Sequence, residues 1–187
     1  QSDPYIASNG VLLNSLGITV QKDLDIAERL FVSWRETNLP RTFAYDDQLL
    51  CRVHRHLFQD LYSWAGQYRT VNISKGEAPF APPLNIGVAI KALVQKHPIE
   101  SLRRASPDNF APFLADMISE YNAIHPFREG NGRSIRALAM LLAEHCGHPI
   151  DWTPITRDQW AKASVESFYG SPDSMILVVR QALGLTS

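Results

Sequence analysis

His125-Pro126-Phe127-Arg128-Glu129-Gly130-Asn131-Gly132-Arg133-Ser134-Ile135-Arg136 is the stretch from which the rest of the chain is best read. Gly130, Asn131 and Gly132 run straight into a predicted helix from about Asn131 to Cys146, with Gly147 as its stop. Small residues at a helix start let several backbone N–H groups face outward where the macrodipole is positive, which makes an anion nest. Arg133 and Arg136 lie three apart and share a helical face. Two guanidinium forks over such a nest suit a polyphosphate better than a single carboxylate. Glu129 is a hard oxygen ligand; alone it repels phosphate, and with Mg2+ between them it bridges to it. His125, at the other side of the loop, can take a proton from a hydroxyl near neutral pH. A base, a metal ligand, an oxyanion nest and two cationic clamps are the parts that transfer of a phosphorus group needs.

Outward from this loop the pattern is mostly helical. On its N-terminal side, Ser106-Pro107 gives a cap and a first-turn proline for a helix ending near Ile124. Phe110, Phe113, Leu114, Met117, Ile118 and Tyr121 give that helix a thick apolar face, so it is expected to be the central buried element. A first helix is predicted from Leu24 to Thr37, with Asp23 as cap and Leu24, Ala27, Leu30, Phe31 and Trp34 on one face. Pro40 stops it. A second runs from Asp47 to Trp64 on a stripe of Leu50, Val53, Leu57, Phe58 and Leu61, ended by Gly66. A helix from about Ile86 to Gln95 follows. Thr156 and Gln159 have capping-box spacing for another, through about Ser167, and Ser171-Pro172 starts the last, to about Leu183. Between the second and third helices the period changes. Tyr68-Arg69-Thr70-Val71-Asn72-Ile73 alternates, Lys75-Gly76-Glu77-Ala78-Pro79 turns the chain, and Phe80-Ala81 leads into Pro82-Pro83. This predicts a lone β-hairpin whose open edges can accept another extended peptide. The fold class is therefore all-α, a helical bundle with a small β-hairpin beside the loop.

Composition narrows the function classes. The chain has 187 residues, enough for one domain, and is 45% hydrophobic, enough for a full core. Eighteen Lys+Arg against nineteen Asp+Glu leave a net charge of -1, so direct nucleic-acid binding and a membrane-surface grip are not expected. Cys51 and Cys146 form no disulfide framework. No apolar run approaches the ~20 residues of a transmembrane helix.

The run 125–136 resembles the Fic-family motif, H-x-F-x-[DE]-G-N-G-R-x-x-R, with every defined position filled. Leu61-Tyr62-Ser63-Trp64-Ala65-Gly66-Gln67-Tyr68-Arg69 and the hairpin after it are similar to that family's lead-in to its flap. Asp3-Pro4-Tyr5, Asn9-Gly10, Leu16-Gly17-Ile18 and the tail Ala163–Gly170 resemble the two ends of bacterial Fic toxins and secreted effectors. The resemblance implies a single Fic domain over residues 1–187 with a short N-terminal extension, whole or excised from a longer chain. It implies a protein adenylyltransferase that moves AMP from ATP to a Tyr, Thr or Ser hydroxyl of a target protein and releases pyrophosphate. His125 is then the general base and Glu129 the holder of Mg2+. Gly130, Asn131 and Gly132 line the nest, Arg133 clamps the outer phosphates and Arg136 the γ-phosphate, and Phe127 anchors the loop. Ile73, Ser74, Lys75, Gly76 and Phe80 belong to the flap that docks the target. Doc-type kinases of the superfamily carry Lys where Gly132 stands, so Gly132 favours adenylyl over phosphoryl transfer. The inhibitory string [ST]-x-x-x-E-[GN] is absent. The resemblance then implies inhibition in trans, by a small antitoxin whose Glu meets Arg136. Related toxins act in the bacterial cytoplasm and related effectors inside a host cell.

Blander and competing readings stand beside these. The Fic fold also serves transfer of UMP, phosphocholine or phosphate, and a degenerate domain serves binding alone. Glu129 can be a charge favouring the helix dipole, and the hairpin a passive cover. His54 and His56 lie two apart and do not share a helix face, and His145 and His148 sit at a helix end for dipole reasons, so neither pair is read as a zinc site. Arg103, Arg104, Lys91 and Lys96 read as a solvated face. Trp152 and Trp160 read as core or groove walls.

Overall fold

The computed structural model describes residues 3–76 and 78–185. Glu77, placed by the sequence in the hairpin turn, lies outside the described residues. In chain order the elements are α1 (Gln21–Thr37), α2 (Leu49–Phe58), β1 (Ser74–Lys75), β2 (Ala78–Pro79), α3 (Ile86–Lys96), α4 (Ile99–Arg104), α5 (Pro107–Ile124), α6 (Asn131–His145), α7 (Arg157–Phe168) and α8 (Asp173–Ala182). None of these helices is long and apolar enough to cross a membrane.

The architecture is a helical bundle around α5, which packs against α3, α6, α7 and α8. Its start follows from Ser106, whose hydroxyl accepts the Asn109 N–H, and from Pro107, whose missing N–H costs nothing in a first turn. Phe110, Leu114, Met117, Ile118 and Tyr121 are buried as the pattern predicts, while Phe113 lies near the surface. Helix α7 opens with the full Thr156/Gln159 capping box. The N-terminal arm folds back onto the loop region. Tyr5 accepts the Thr70 N–H at 3.1 Å and packs edge-on against Trp64, and Asp3 accepts from Arg128 Nε at 2.8 Å.

Four expectations are corrected. Asp23 is not the cap of α1; it sits inside the first turn, behind an N-cap at Val20. The inward face of α1 is rotated from the predicted one, leaving Leu30 67% and Trp34 56% exposed. Glu28 and Arg35 turn inward instead, where they pair with Arg133 and Asp60; a hydrophobic period cannot see a face built from ion pairs. Helix α2 stops at Phe58, not at Trp64. Gly66 (φ +80) closes the loop after it, so near the helix that an added Cβ would lie 2.7 Å from Arg55 Cβ. The hairpin is far shorter than the alternation suggests. Only Ser74↔Pro79 and Lys75↔Ala78 pair, antiparallel, and most of Tyr68–Ile73 is irregular because its groups are taken elsewhere: the Arg69 N–H by Pro126, the Thr70 N–H by Tyr5 and the Val71 carbonyl by the Arg69 side chain, with only the Ile73 carbonyl reaching across to the Phe80 N–H.

Candidate active site

The loop of residues 125–130 joins α5 to α6, and both of its ends are left-handed. His125 is the C-cap of α5 (φ 49, ψ 63), the only non-glycine residue with positive φ among the described residues, and Gly130 (φ 79) precedes α6. Gly130 has two reasons to be glycine: its φ, and Phe58, whose ring atoms would lie 2.4 Å from an added Cβ. Phe127 between them has no exposed surface. Asn131 is almost as deeply buried, and its amide side chain exchanges two bonds with Phe127, accepting its N–H at 2.9 Å and donating to its carbonyl at 2.8 Å.

His54 fixes the middle of this loop. It has no exposure, accepts the Gly66 N–H on Nδ1 at 2.9 Å and donates Nε2–H to the Glu129 carbonyl at 3.0 Å. It is stacked between Phe127 and Phe58, and burial pushes its pKa down to about 4. The neutral tautomer satisfies both ring nitrogens.

His125 stands at the junction of α5 and the loop. Its Nδ1–H donates to the Asn122 carbonyl at 3.3 Å, which leaves Nε2 as the unprotonated acceptor. Burial lowers its pKa to about 4, and the cations of Arg69 and Lys75 add to the effect against the Asn122 carbonyl and Glu129. It is therefore a free base at neutral pH. Phe80 of the hairpin lies flat on the imidazole, with centroids 4.0 Å apart.

A cavity of about 660 Å³ brings most of the predicted residues together: His125, Glu129, Gly130, Gly132, Arg133 and Arg136, with Lys75 and Phe80 from the hairpin side. Ile73, Ser74 and Gly76 are on the hairpin but outside the cavity wall, and Asn131 turns its side chain into the loop rather than into the cavity. The far wall is α7, through Trp160, Ala161, Ser164, Val165 and Phe168. Trp160 is thus the groove wall that the sequence suggested, whereas nothing in the sequence pointed to Ala161, Arg29 or Arg157, which line the same space. Ser164 is held by Asn122 at 3.2 Å. Arg136 sits over Trp160, 5.4 Å from its centroid, and Trp152 donates to the Arg136 carbonyl, so both tryptophans serve the second arginine. Glu36 of α1 feels Arg136 and Arg133, but its burial outweighs them and raises its pKa.

Arg133 lies 4.8 Å over the Phe58 ring, paired with Glu28 and, more loosely, with Glu129 at 3.4 Å. Glu28 also accepts from the Tyr62 hydroxyl at 2.5 Å. Glu129 accepts the Gly130 N–H at 2.8 Å, so a carboxylate already occupies part of the nest. Among the described residues Glu129 is the one carboxylate on the cavity wall. That donor set suits Mg2+, which is normally held by one or two carboxylates together with substrate phosphates and water. Among the described residues no group of three His, Cys, Asp or Glu side chains converges here or elsewhere. His56 and His148 each donate to a backbone carbonyl instead, of Arg35 and Ala105.

Residues 44–143, which span the hairpin, α5, the loop and most of α6, match the model of the Fic/DOC family. This chain belongs to that family. The Fic chain is 36% identical over 187 residues to protein adenylyltransferase VbhT of Bartonella schoenbuchensis, covering 97% of this chain and 39% of that protein. It is 33% identical to the probable protein adenylyltransferase Fic of Salmonella typhimurium, covering 97% of this chain and 92% of that one. Among solved structures, the BepC effector of Bartonella tribocorum with bound AMPPNP superimposes with a TM-score of 0.87 at 26% identity, over 95% of each chain. The all-α Fic fold with its small hairpin is thus shared along nearly the whole length.

Proposed function

We propose that this chain is a protein adenylyltransferase, transferring AMP from ATP to a Tyr, Thr or Ser hydroxyl of a target protein. The observation that carries the reading is His125: an imidazole kept neutral, its Nδ1–H tied to a carbonyl, on the wall of a cavity that also holds Arg133, Arg136 and a helix N-terminus. The names of VbhT and the Salmonella relative and the nucleotide in the BepC structure support it.

His125 Nε2 accepts the proton of the acceptor hydroxyl as its oxygen bonds to the α-phosphorus; the bond to the β-phosphate bridging oxygen breaks and pyrophosphate leaves. The opening amides of α6 have no carbonyl one turn back within the helix and are turned to the phosphates. Arg133 and Arg136 hold the outer phosphates, which pulls Arg133 from Glu28 and Glu129. Glu129 would hold Mg2+, which would neutralise phosphate charge, and must leave the Gly130 amide to do so. Gly132 keeps the entry to the nest free of a side chain; the nearest atom to an added Cβ is Trp160 Nε1 at 3.9 Å. The unpaired edge of the hairpin takes an extended target segment by main-chain pairing, and Phe80 sets its hydroxyl beside His125. A small antitoxin would act by placing a carboxylate on Arg136 from the cavity side. The chain works in the bacterial cytoplasm or inside a host cell as a translocated effector.

The test is incubation of bacterial and host-cell lysates with the chain and ATP labelled at the α- or γ-phosphate. Label from the α form alone, reduced about 10²–10⁴-fold in His125→Ala, is expected. Label from the γ form overturns the reading in favour of phosphoryl transfer.

A further inference from the structure

Arg69 is a buried arginine, 2% exposed, with no carboxylate on it among the described residues. Its guanidinium is instead spent on carbonyls. Nε donates to His125 at 2.8 Å and Nη1 to Val71 at 2.7 Å; Nη2 donates to Ala81 at 2.5 Å and to Ile124 at 3.3 Å. Its main-chain N–H donates to the Pro126 carbonyl at 2.9 Å. One residue thus holds the consecutive carbonyls of Ile124, His125 and Pro126 and the two feet of the hairpin, Val71 before it and Ala81 after it.

Each set has a need that a cation meets. The carbonyls at the end of α5 have no partner within the helix and form the negative end of its dipole. His125 stands in a left-handed conformation that a non-glycine residue holds only under constraint. The hairpin has two residue pairs and an exposed tip, too little to fix its own direction. Planar, five-donor geometry lets an arginine answer all three at once; a lysine has no fork.

We propose that Arg69 is a positioning residue that sets the register between the hairpin and the imidazole, so that a peptide on the hairpin meets His125. The proposal rests on the adenylyl-transfer reading for its activity readout. Arg69 is off the wall of the nucleotide cavity, so its removal separates binding of the nucleotide from transfer to a protein.

The test compares the wild-type chain with Arg69→Gln and Arg69→Lys in three measurements. These are calorimetric affinity for Mg2+-AMPPNP, transfer of α-labelled AMP to lysate proteins, and amide hydrogen exchange over residues 71–81. For Arg69→Gln, AMPPNP affinity within about threefold of wild type is expected beside a transfer rate lower by roughly 10- to 100-fold, the worth of one or two charged hydrogen bonds. Exchange is expected to quicken at both feet of the hairpin together. Arg69→Lys falls between, because it keeps the charge and loses the fork. Unchanged transfer in Arg69→Gln, or AMPPNP affinity falling in step with transfer, overturns the proposal; so does a lysine variant equal to wild type. If Arg69→Gln does not melt cooperatively, the same split in Arg69→Lys decides. If wild type labels nothing, the transferase reading fails on its own, and the exchange at residues 71 and 81 still decides whether Arg69 clamps the hairpin.

Discussion

The loop of residues 125–130 and the hairpin of residues 73–80 border the same cavity, and they are held in opposite ways. The loop is over-determined: Phe127 is sealed in the core, Asn131 and His54 take its backbone groups, and Gly130 is pressed on Phe58. The hairpin has two residue pairs, exposed Ser74, Lys75 and Gly76, and two anchors, the Phe80 ring on His125 and Arg69 at its feet. The difference fits the two tasks proposed for them. A base and a phosphate nest lose rate if they move by about 1 Å, so each atom is held by packing and by bonds from behind. A surface that receives peptides by main-chain pairing works better if it adapts, and low local stability is where such motion is found.

The largest break in that comparison comes from paired phenylalanine truncations. Phe127→Ala empties a sealed site under the loop and is expected to cost about 3–5 kcal/mol, or roughly 10 °C in Tm. Phe80→Ala removes a half-buried ring and is expected to cost under about 1 kcal/mol, while transfer to a protein drops more than nucleotide affinity. Thermal melts and AMPPNP titration of both variants check this; equal Tm losses would mean that hairpin and loop are one cooperative unit.

A smaller split is expected between the two glycines of the nest. Gly130→Ala meets Phe58 and a left-handed φ together, and should lose about 2–4 kcal/mol in denaturant unfolding. Gly132→Ala sits at a helix position with ordinary contact distances, so its stability should stay within about 0.5 kcal/mol of wild type or rise. Its effect should appear in the affinity for AMPPNP, because a methyl group narrows the approach to the amides.

The same contrast explains what the sequence disclosed. That His125, Glu129, Gly130, Gly132, Arg133 and Arg136 would gather in one place was legible, because the proposed anion nest, base and paired guanidinium groups call for those residue types at a fixed spacing. The central burial of α5 was legible from its apolar face and Ser106-Pro107 start. Helix α1 was misread because Glu28 and Arg35 are turned inward by ion pairs with Arg133 and Asp60, which lie outside the helix, and no local period records that. The hairpin was overextended because Arg69 claims Val71, and the main chain at Arg69 claims Pro126, so the alternating run never pairs as a strand. His54 was weighed only as half of a metal pair, although a histidine inside the apolar stripe of α2 is itself the sign of a satisfied buried imidazole.

The mildest effects concern the pH profile, where hairpin and loop meet. Burial holds the His125 pKa at about 4, below its ordinary 6.5, so the base is free throughout the neutral range. The kcat/KM for AMP transfer should be flat from pH 6 to 8 and fall about tenfold per unit only below about pH 4. Because the unfolded chain takes up that proton from 6.5 downward and the folded chain does not, stability is full above pH 6.5 and is lost as pH falls towards 4. Phe80→Ala lets water reach the ring and weakens the leading cause, so its acid limb should move up towards the ordinary value. Lys75→Ala takes away only the last and weakest of the influences on His125, a neighbouring cation that disfavours the imidazolium. Its limb should move in the same direction and by less than that of Phe80→Ala, with Tm unchanged. A Lys75 variant that shifts the limb further than Phe80→Ala would show that charge on the hairpin, rather than its cover, keeps the imidazole neutral.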